Sequence, residues 1–373
     1  MPLKYIALVL LILATQLYCK AQYKVTLLVQ VPVGNTLGQP YYFASNTNRW
    51  LPNDVLQQLQ PVNNNTYRVT IANCPTLLLG KFTTGSWFGV ECNSDGSTID
   101  NRSFTISSDT TITITVAAFA QSKQLTSTRT KQVTIITDSF YIPQLKAKRR
   151  VWIYLPKAYN NKKKFAVLYM HDGQNLFDIS TGYSGEWGVD EYLDSATNTC
   201  IVVGIDNGGA TRMTEYNPYT NFQFGKGVGK AYAKFVVQTL KPYIDKKYKT
   251  LTGKQYTYMA GSSMGGLITY YTALQYPNVF GKVGIFSSAF WLNWADVQNE
   301  IKQIKKLTGQ NFYFYAGAKE SESMVAQTVA MYNNTKATCN QCAMQLSIAA
   351  NGEHKEWYWQ QELPKFFGWL LGK

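Results

Sequence analysis

GSSMGG, residues 261–266, stands between the apolar run YTYMA (256–260) and the mixed run LITYYTALQY (267–276). The first run is typical of a buried strand and the second of a helix. The first five residues also fit the pattern G-x-S-x-G, in which glycines allow a strained turn and close packing of the helix on the strand. We therefore predict a strand–turn–helix unit that raises Ser263 at its turn. A plain glycine-rich turn is the alternative.

Strand-like and helix-like runs alternate around this unit, from residue 133 to the end of the chain at residue 373. The strand-like runs are RRVWIYLP (149–156), FAVLYM (165–170), CIVVGI (200–205), YTYMAG (256–261), VGIFSS (283–288), NFYFYAG (311–317) and AMQLSIA (343–349). The helix-like runs cover residues 229–248, 265–277, 294–307, 321–334 and 360–372. Apolar strands that alternate with helices predict an α/β domain, with a mostly parallel sheet covered on both faces.

Residues 22–119 have a different character. Short alternating runs such as YKVTLLVQVPV and TTITITVAAF follow one another between polar turns, and no long helix pattern interrupts them. This spacing predicts an all-β sandwich ahead of the α/β domain. The polar stretch AQSKQLTSTRTK lacks periodicity, and we interpret residues 120–132 as a linker.

The first 21 residues have the features of a secretory signal peptide. Lys4 precedes an apolar stretch, and Cys19-Lys20-Ala21 offers a small-x-small cleavage site. The pattern predicts a secreted or periplasmic protein, with a lipid anchor on Cys19 as a less favoured alternative. The apolar stretch is short for a membrane span, and no other segment suits one, so stable membrane insertion is not expected.

Export would permit disulfides among the five remaining cysteines. Cys74 and Cys92 fall in one region and are a candidate pair. Cys339 and Cys342 have CxxC spacing, which allows a local disulfide or two free thiols. The chain has only two histidines and no second CxxC pair, so we expect no zinc, no other metal and no cofactor.

The formal net charge is +14, or +12 without Lys4 and Lys20. The basic residues are mostly scattered, whereas a nucleic-acid-binding surface calls for a denser stripe, so no nucleic acid partner is expected. A solvated basic surface and attraction of an anionic substrate both remain open. The sequence leaves the oligomeric state open.

A nucleophilic serine needs a base and an acid. His354 lies downstream of Ser263, as the chain order serine, acid, histidine requires, whereas His171 lies upstream. Between them, Glu320 comes shortly after the run NFYFYAG, where the carboxyl edge of the sheet is expected. We predict Ser263 as nucleophile, His354 as base and Glu320 as acid, with Glu322 as the alternative acid.

When a serine attacks a carbonyl group, the tetrahedral intermediate carries a negative oxygen, and backbone N–H groups are needed to bind it. The Met264 N–H lies at the start of the predicted helix, where the N–H groups and the helix dipole favour negative charge. The second donor belongs on the loop after an early strand, which here is His171-Asp172-Gly173-Gln174. We predict Gly173 or Gln174 as that donor. His171 is expected to shape the loop and contribute to substrate binding, not to act as base.

Several motifs together resemble the putative-esterase (esterase D-like) branch of the α/β-hydrolases. They are YMHDGQNLFD (169–178), GEWGVDEYL (185–193), GSSMGG, YAGAKES and the late GEH, and the resemblance covers about residues 133–373. It implies an α/β-hydrolase fold and a Ser-acid-His hydrolase without metal. It carries the three roles onto Ser263, His354 and Glu320, with Glu where many relatives have Asp.

The stretches GNTLGQPYYFASNTNRWLPND (34–54), KFTTGSWFGVEC (81–92) and NRSF (101–104) resemble starch-binding-type carbohydrate modules more weakly. The resemblance implies sugar stacking on exposed aromatics, for which Trp50 and Trp87 are candidates. A docking or stabilising β-domain is the alternative.

Loops over the sheet edge offer substrate-binding candidates. They are Trp187 and Asp190 in GEWGVDEYL and Glu215 and Tyr216 in RMTEYNP, with core packing as the alternative role. The function expected overall is a secreted serine carboxylesterase that acts on esterified polysaccharide of acetyl or feruloyl type. Siderophore-ester hydrolysis and a non-catalytic carbohydrate-binding protein on a hydrolase scaffold are the alternatives.

Overall fold

The computed structural model describes residues 22–33, 40–48, 50–85, 87–120, 126–160, 162–182, 185–221, 224–304 and 307–372. The predicted signal peptide, residues 1–21, lies outside the described residues. The chain divides into two compact units, one up to residue 123 and one from residue 124. Within the described ranges, no helix combines the length and the apolar character needed to cross a bilayer.

The first unit is built from β-strands, as predicted. Its strands are β1 (Tyr23–Gln30), β2 (Tyr42–Ser45), β3 (Gln60–Asn63), β4 (Thr66–Cys74), β5 (Leu77–Thr83), β6 (Glu91–Cys92), β7 (Arg102–Thr105), β8 (Thr110–Thr115) and β9 (Ala118–Phe119). They form sheets of order β3-β4-β1-β8 and β2-β5-β7 and the pair β6-β9. Val25, Leu27 and Val29 alternate into one core that also contains Phe43 and Phe82, which is the period-2 burial of a half-buried strand.

The structure corrects the candidate disulfide of this unit. Cys74 and Cys92 are both buried free thiols. Cys74 ends β4 in the first sheet, whereas Cys92 lies in β6 and pairs with β9. In the second unit Cys339 and Cys342 form a local disulfide, and Cys200 is a buried free thiol.

The second unit is organised around one large sheet. Its strands are β10 (Val133–Ile142), β11 (Ala147–Tyr154), β12 (Val167–His171), β13 (Ile201–Ile205), β14 (Thr220–Asn221), β15 (Gly225–Lys226), β16 (Thr257–Ser262), β17 (Lys282–Phe286), β18 (Leu307–Thr308), β19 (Asn311–Gly317), β20 (Cys339–Asn340) and β21 (Met344–Ala349). The described sheet has the order β10-β11-β13-β12-β16-β17-β19-β21. From β13 to β21 every neighbouring pair is parallel, which confirms the predicted α/β class.

Helices cover the faces of this sheet. They span Val189–Ser195, Arg212–Glu215, Gly229–Phe235, Lys241–Lys247, Met264–Gln275, Trp294–Gln303, Glu322–Thr338 and Glu356–Leu371. A π-helical stretch, Val236–Leu240, joins the third and fourth of these, where one continuous helix is predicted. The final helix begins four residues earlier than its sequence pattern suggests.

Part of the predicted linker is fastened to the second unit. Ser127 Oγ donates to Asp178 Oδ2 at 2.6 Å, and Thr128 Oγ1 donates to Glu186 Oε2 at 2.5 Å. The Thr130 N–H donates to Asp190 Oδ2 at 2.8 Å. Because three successive contacts fix it, the end of the polar stretch is part of the second unit's structure.

Candidate active site

Ser263 occupies the sharp turn between β16 and the helix Met264–Gln275. Its backbone has φ 56° and ψ −120°, a conformation that costs a non-glycine residue about 1–3 kcal/mol. The surroundings hold this conformation on both sides. The Ser263 N–H donates to the Phe286 carbonyl at 2.9 Å, and the Ser263 carbonyl accepts from the N–H of Ala289 at 3.0 Å.

The three glycines of GSSMGG are explained by close neighbours. A Cβ on Gly261 would lie 2.8 Å from the Gly265 carbonyl carbon and 2.9 Å from Cδ2 of His171. A Cβ on Gly266 would lie 3.0 Å from the Phe286 carbonyl oxygen. The helix therefore starts against β16 and its neighbours at a distance that side chains would prevent.

Glu320 and His354, the predicted acid and base, are joined by a hydrogen bond. Glu320 Oε2 lies 2.8 Å from His354 Nδ1. The carboxylate side chain is 2% exposed and the imidazole 38% exposed, so a buried carboxylate holds an imidazole that reaches solvent. The alternative, Glu322, starts the next helix, and its side chain lies outside the described part of the chain.

The Glu320 carboxylate is held by further donors. Its Oε1 accepts from Ser287 Oγ at 2.5 Å and from the Gly317 N–H at 2.7 Å. Ser287 Oγ in turn accepts from the Trp359 indole N–H at 2.9 Å. The Trp359 ring also packs nearly perpendicular to the His354 ring, with ring centroids 5.1 Å apart. Sequence reasoning missed Ser287 and Trp359, although Ser287 lies near the end of the strand-like run VGIFSS.

The sheet topology brings these residues to one edge. Ser263 follows β16, Glu320 follows β19 and His354 follows β21, and the strands from β16 to β21 run parallel through β17. Backbone bonds continue beyond the strands, from the Ala318 N–H to the Ala349 carbonyl and from the Lys319 N–H to the Gly352 carbonyl, both at 2.9 Å. The carboxyl edge is where ligands bind in open α/β sheets.

The predicted oxyanion donors lie at the ends of two adjacent strands. Met264 is the first residue of its helix, where N–H groups have no acceptor within the helix. The 3₁₀ turn Gly173–Asn175 follows β12, the parallel neighbour of β16. A Cβ on Gly173 would lie 2.8 Å from the backbone of Gly204, so this glycine lets the loop sit against β13.

His171 is a buried packing residue. Its Nδ1 lies 2.9 Å from the Tyr232 hydroxyl, and its ring lies behind Gly261 and Gly265 of the turn. Burial lowers the pKa of His171 to about 4, with Asp172 opposing the shift and Arg212 adding to it. The ring is therefore neutral at pH 7. The ring lies behind the serine turn and is 2% exposed, which leaves little surface for a ligand. Its roles in shaping the loop and in binding substrate stay predictions.

Asp172 fixes the start of the loop after β12, which contains the predicted oxyanion donors. Its carboxylate accepts from Arg212 Nε at 2.7 Å and Nη2 at 2.8 Å, and from Asn207 Nδ2 at 2.7 Å. Burial raises the pKa of Asp172, but the Arg212 charge and these hydrogen bonds outweigh it and leave the pKa below its usual value. A buried charge that is paired in this way is tolerated and rigid.

The other predicted substrate-binding side chains are buried, which favours the alternative of core packing, and their role in substrate binding stays a prediction. Trp187 is buried against Phe286 and Trp359. Asp190 is buried and accepts the Thr130 N–H. Their burial leaves no side-chain surface for a ligand.

The same holds for the pair from RMTEYNP. Glu215 is buried in an ion pair with Arg149. Tyr216 is buried between the rings of His171 and Tyr232. Both residues support the loops beneath the site.

Two exposed tryptophans that sequence reasoning missed lie on segments leading away from the site. Trp291 is 51% exposed in the turn Phe290–Asn293, which follows the Ala289 N–H bound to Ser263. Trp357 is 57% exposed in the first turn of the final helix, three residues after His354. Each offers an aromatic face near the carboxyl edge of the sheet.

In the first unit, Trp50 and Trp87 lie together. Their ring centroids are 6.5 Å apart with an interplanar angle of 32°, and both are partly exposed. Their role in sugar binding stays a prediction.

A family model described as "Putative esterase" matches residues 142–370. The chain belongs to this esterase family. The match confirms the resemblance carried by the motifs of the second unit, and it makes the chain a carboxylic-ester hydrolase. The esterase model starts within β10 and ends in the final helix, so it contains Ser263, Glu320 and His354.

Two curated proteins are similar to parts of the chain. The esterase is 26% identical over 244 residues to the uncharacterized protein YbbA of Bacillus subtilis. This alignment covers 60% of this chain and 93% of YbbA. It is 28% identical over 182 residues to an endo-1,4-beta-xylanase/feruloyl esterase of Xylanibacter ruminicola, covering 46% of this chain and 22% of that protein.

A crystal structure of enterochelin esterase from Shigella flexneri matches with a TM-score of 0.53 and 15% identity, over 94% of this chain and 92% of that one. At this identity the likeness concerns the fold.

Proposed function

We propose that this esterase is a serine hydrolase whose triad is Ser263, His354 and Glu320. The observation that carries the proposal is the 2.8 Å contact between Glu320 Oε2 and His354 Nδ1, at the same sheet edge as the strained Ser263. A buried carboxylate on Nδ1 fixes the imidazole tautomer and leaves Nε2 to accept a proton.

The chemistry follows from these positions. Ser263 Oγ attacks the ester carbonyl carbon while His354 Nε2 takes the hydroxyl proton, and Glu320 stabilises the imidazolium. The negative oxygen of the tetrahedral intermediate is bound by the Met264 N–H and by a backbone N–H of Gly173 or Gln174, each worth roughly 3 kcal/mol. His354 then protonates the leaving alcohol, and an acyl-Ser263 ester remains. Water, activated by His354, hydrolyses that ester and regenerates the enzyme.

The substrate proposed is an esterified polysaccharide of acetyl or feruloyl type. The printed name of the Xylanibacter relative supports it, since that protein combines xylanase and feruloyl esterase. Exposed Trp291 and Trp357 support it as well, because tryptophan faces stack on sugar and phenolic rings. The predicted signal peptide supports action outside the cytoplasm, in a secreted or periplasmic protein.

A siderophore ester is the second candidate substrate. The enterochelin esterase structure spans both units of this chain, and the net charge of +14 suits an anionic iron complex. The predicted export from the cytoplasm favours the polysaccharide. A third candidate is a non-catalytic carbohydrate-binding protein, which family membership disfavours.

The test is product release by the purified mature protein from methyl ferulate, acetylated xylan, p-nitrophenyl acetate and a catecholate siderophore ester, with Ser263→Ala as control. Selective release from ferulate or xylan is expected, and preference for the siderophore ester would move the function to iron acquisition. Stoichiometric labelling of Ser263 by a fluorophosphonate excludes the binding protein. Wild-type turnover by Ser263→Ala would overturn the proposed triad.

A further inference from the structure

One buried hydrogen bond joins the loop that carries His354 to the loop after β12. Asn175 Nδ2 donates to Glu356 Oε1 at 3.0 Å, across 181 residues of sequence, and both side chains are buried. Asn175 ends the turn that contains the predicted oxyanion donors. Glu356 begins the final helix, two residues after His354. The bond therefore connects the segment predicted to hold the oxyanion with the segment that holds the base.

The backbone of Asn175 is also fixed. Its N–H donates to the Asp172 carbonyl at 2.9 Å, and its carbonyl accepts from the Trp187 N–H at 2.8 Å. Because the main chain of Asn175 is held on both sides, its side-chain bond to Glu356 fixes the position of the turn relative to the final helix. The predicted oxyanion donors, the N–H groups of Gly173 and Gln174, belong to that turn. A displacement of the turn would therefore move them.

The charged groups facing Glu356 are His354, Asp172 and Arg212. Burial is the largest influence and raises the pKa of Glu356 to about 7, and Asp172 adds to this shift. Its own backbone N–H, His354 and Arg212 oppose the shift. The carboxyl therefore changes charge in the pH range where an imidazole base works.

We propose that Glu356 is a positioning residue for ester hydrolysis, which holds the predicted oxyanion loop in register with His354 through its hydrogen bond to Asn175. The inference rests on the proposed function. Misplacement of reacting groups by about 1 Å can cost roughly a hundredfold in rate, so a rigid connection between these two loops has a direct effect on turnover.

The test compares Glu356→Ala, Asn175→Ala, the double variant and Glu356→Gln on p-nitrophenyl acetate, each below its melting temperature. Each alanine variant is expected to lower kcat about 10- to 100-fold with KM within about twofold. The double variant should be no more than about threefold slower than the slower single variant, because one shared bond is lost only once. The inference is overturned if the kcat losses of the two single variants multiply in the double variant. It is also overturned if both single variants have wild-type kcat.

The Glu356→Gln variant tests the positioning role with a measurement, the pH profile, that would not change if Glu356 only stabilised the fold. The amide keeps an acceptor for Asn175, so kcat above pH 8 should stay within about threefold of wild type. Protonation near pH 7 weakens the wild-type carboxyl as an acceptor for Asn175, so the wild-type kcat profile should contain a step near that pH that the glutamine variant lacks. Identical profile shapes in the two enzymes overturn the inference. Ser263→Ala is measured in parallel: if it is inactive while the other variants behave as wild type, only the role of Glu356 fails.

Discussion

Ser287 Oγ donates to Glu320 Oε1 at 2.5 Å and accepts from the Trp359 indole N–H at 2.9 Å. A chain of hydrogen bonds thus runs from the final helix through Ser287 and Glu320 to His354. Each member comes from a different strand end or helix, so the orientation of the imidazole depends on packing across the whole carboxyl edge.

Ser287→Ala should lower kcat about tenfold, because the carboxylate loses one of its charge-assisted donors and His354 is held less firmly. Ser288→Ala is the matched control. Ser288 is also buried, and its hydroxyl has no hydrogen-bond partner in the described structure. Equal losses in the two variants would refute the specific role of Ser287. The measurement is kcat on p-nitrophenyl acetate, with thermal melts to compare folding.

Glu320→Gln should reduce kcat about a thousandfold or more, since a neutral amide cannot stabilise the imidazolium and can favour the wrong tautomer. Glu353→Gln is the control, because Glu353 is adjacent to the histidine in sequence but pairs with Lys355 at the surface. Steady-state kinetics on the activated acetate measure both. A Glu320→Gln enzyme within tenfold of wild type would mean that another group supplies the acid.

Ser263→Gly should be more stable than Ser263→Ala by about 1 kcal/mol in urea unfolding. Glycine adopts positive φ without a Cβ clash, and part of that gain is offset by its greater freedom in the unfolded chain. Both variants should be inactive. If the alanine variant is equally or more stable, the turn is not strained.

Stability should fall on acidification because His171 is buried in its neutral form. Its folded pKa of about 4 lies below the ordinary histidine pKa of 6.5, so the unfolded chain binds the proton first. The contribution is fully present above pH 6.5 and is lost as the pH falls towards 4, up to about 3 kcal/mol. His171→Gln cannot titrate, so its unfolding free energy should decline less over that window. Parallel wild-type and variant curves would contradict this.

Trp291→Ala and Trp357→Ala should raise KM for acetylated xylan or a feruloylated oligosaccharide several-fold, because stacking of one ring is worth about 1–3 kcal/mol at best. Turnover of p-nitrophenyl acetate should change little. Tyr256→Ala is the control, since this partly exposed aromatic precedes β16 at the opposite edge of the sheet. An equal rise in KM for all three variants would argue against a stacking surface at the active edge.

The sequence predicted those parts of the molecule that local patterns determine. Buried strands such as CIVVGI and the glycines around Ser263 carry strong local signals, and the two histidines are few enough to sort by chain order. The first strand of the large sheet, Val133–Ile142, was not anticipated. It is an edge strand with many partly exposed positions, so its apolar pattern is weak.

The sequence could not predict which side chains around the proposed triad are buried in the core and which are exposed. Trp187 and Trp291 have the same chemistry, yet one is buried in the core and the other half exposed. That difference depends on which helix covers each position, and so on contacts far apart in the chain. The hydrogen bonds of Ser287 and Glu356 reach partners 33 to 181 residues away, and no local pattern encodes them.

The His354 and Trp359 rings lie nearly perpendicular, with centroids 5.1 Å apart and an interplanar angle of 85°. An imidazolium close to an indole quenches its fluorescence, so protonation of His354 should dim the emission of Trp359. An acid titration of intrinsic fluorescence, with the His354→Gln variant subtracted, would then follow the base without any substrate. The packing that holds the imidazole in place therefore also makes the fluorescence of Trp359 a measure of the protonation state of His354.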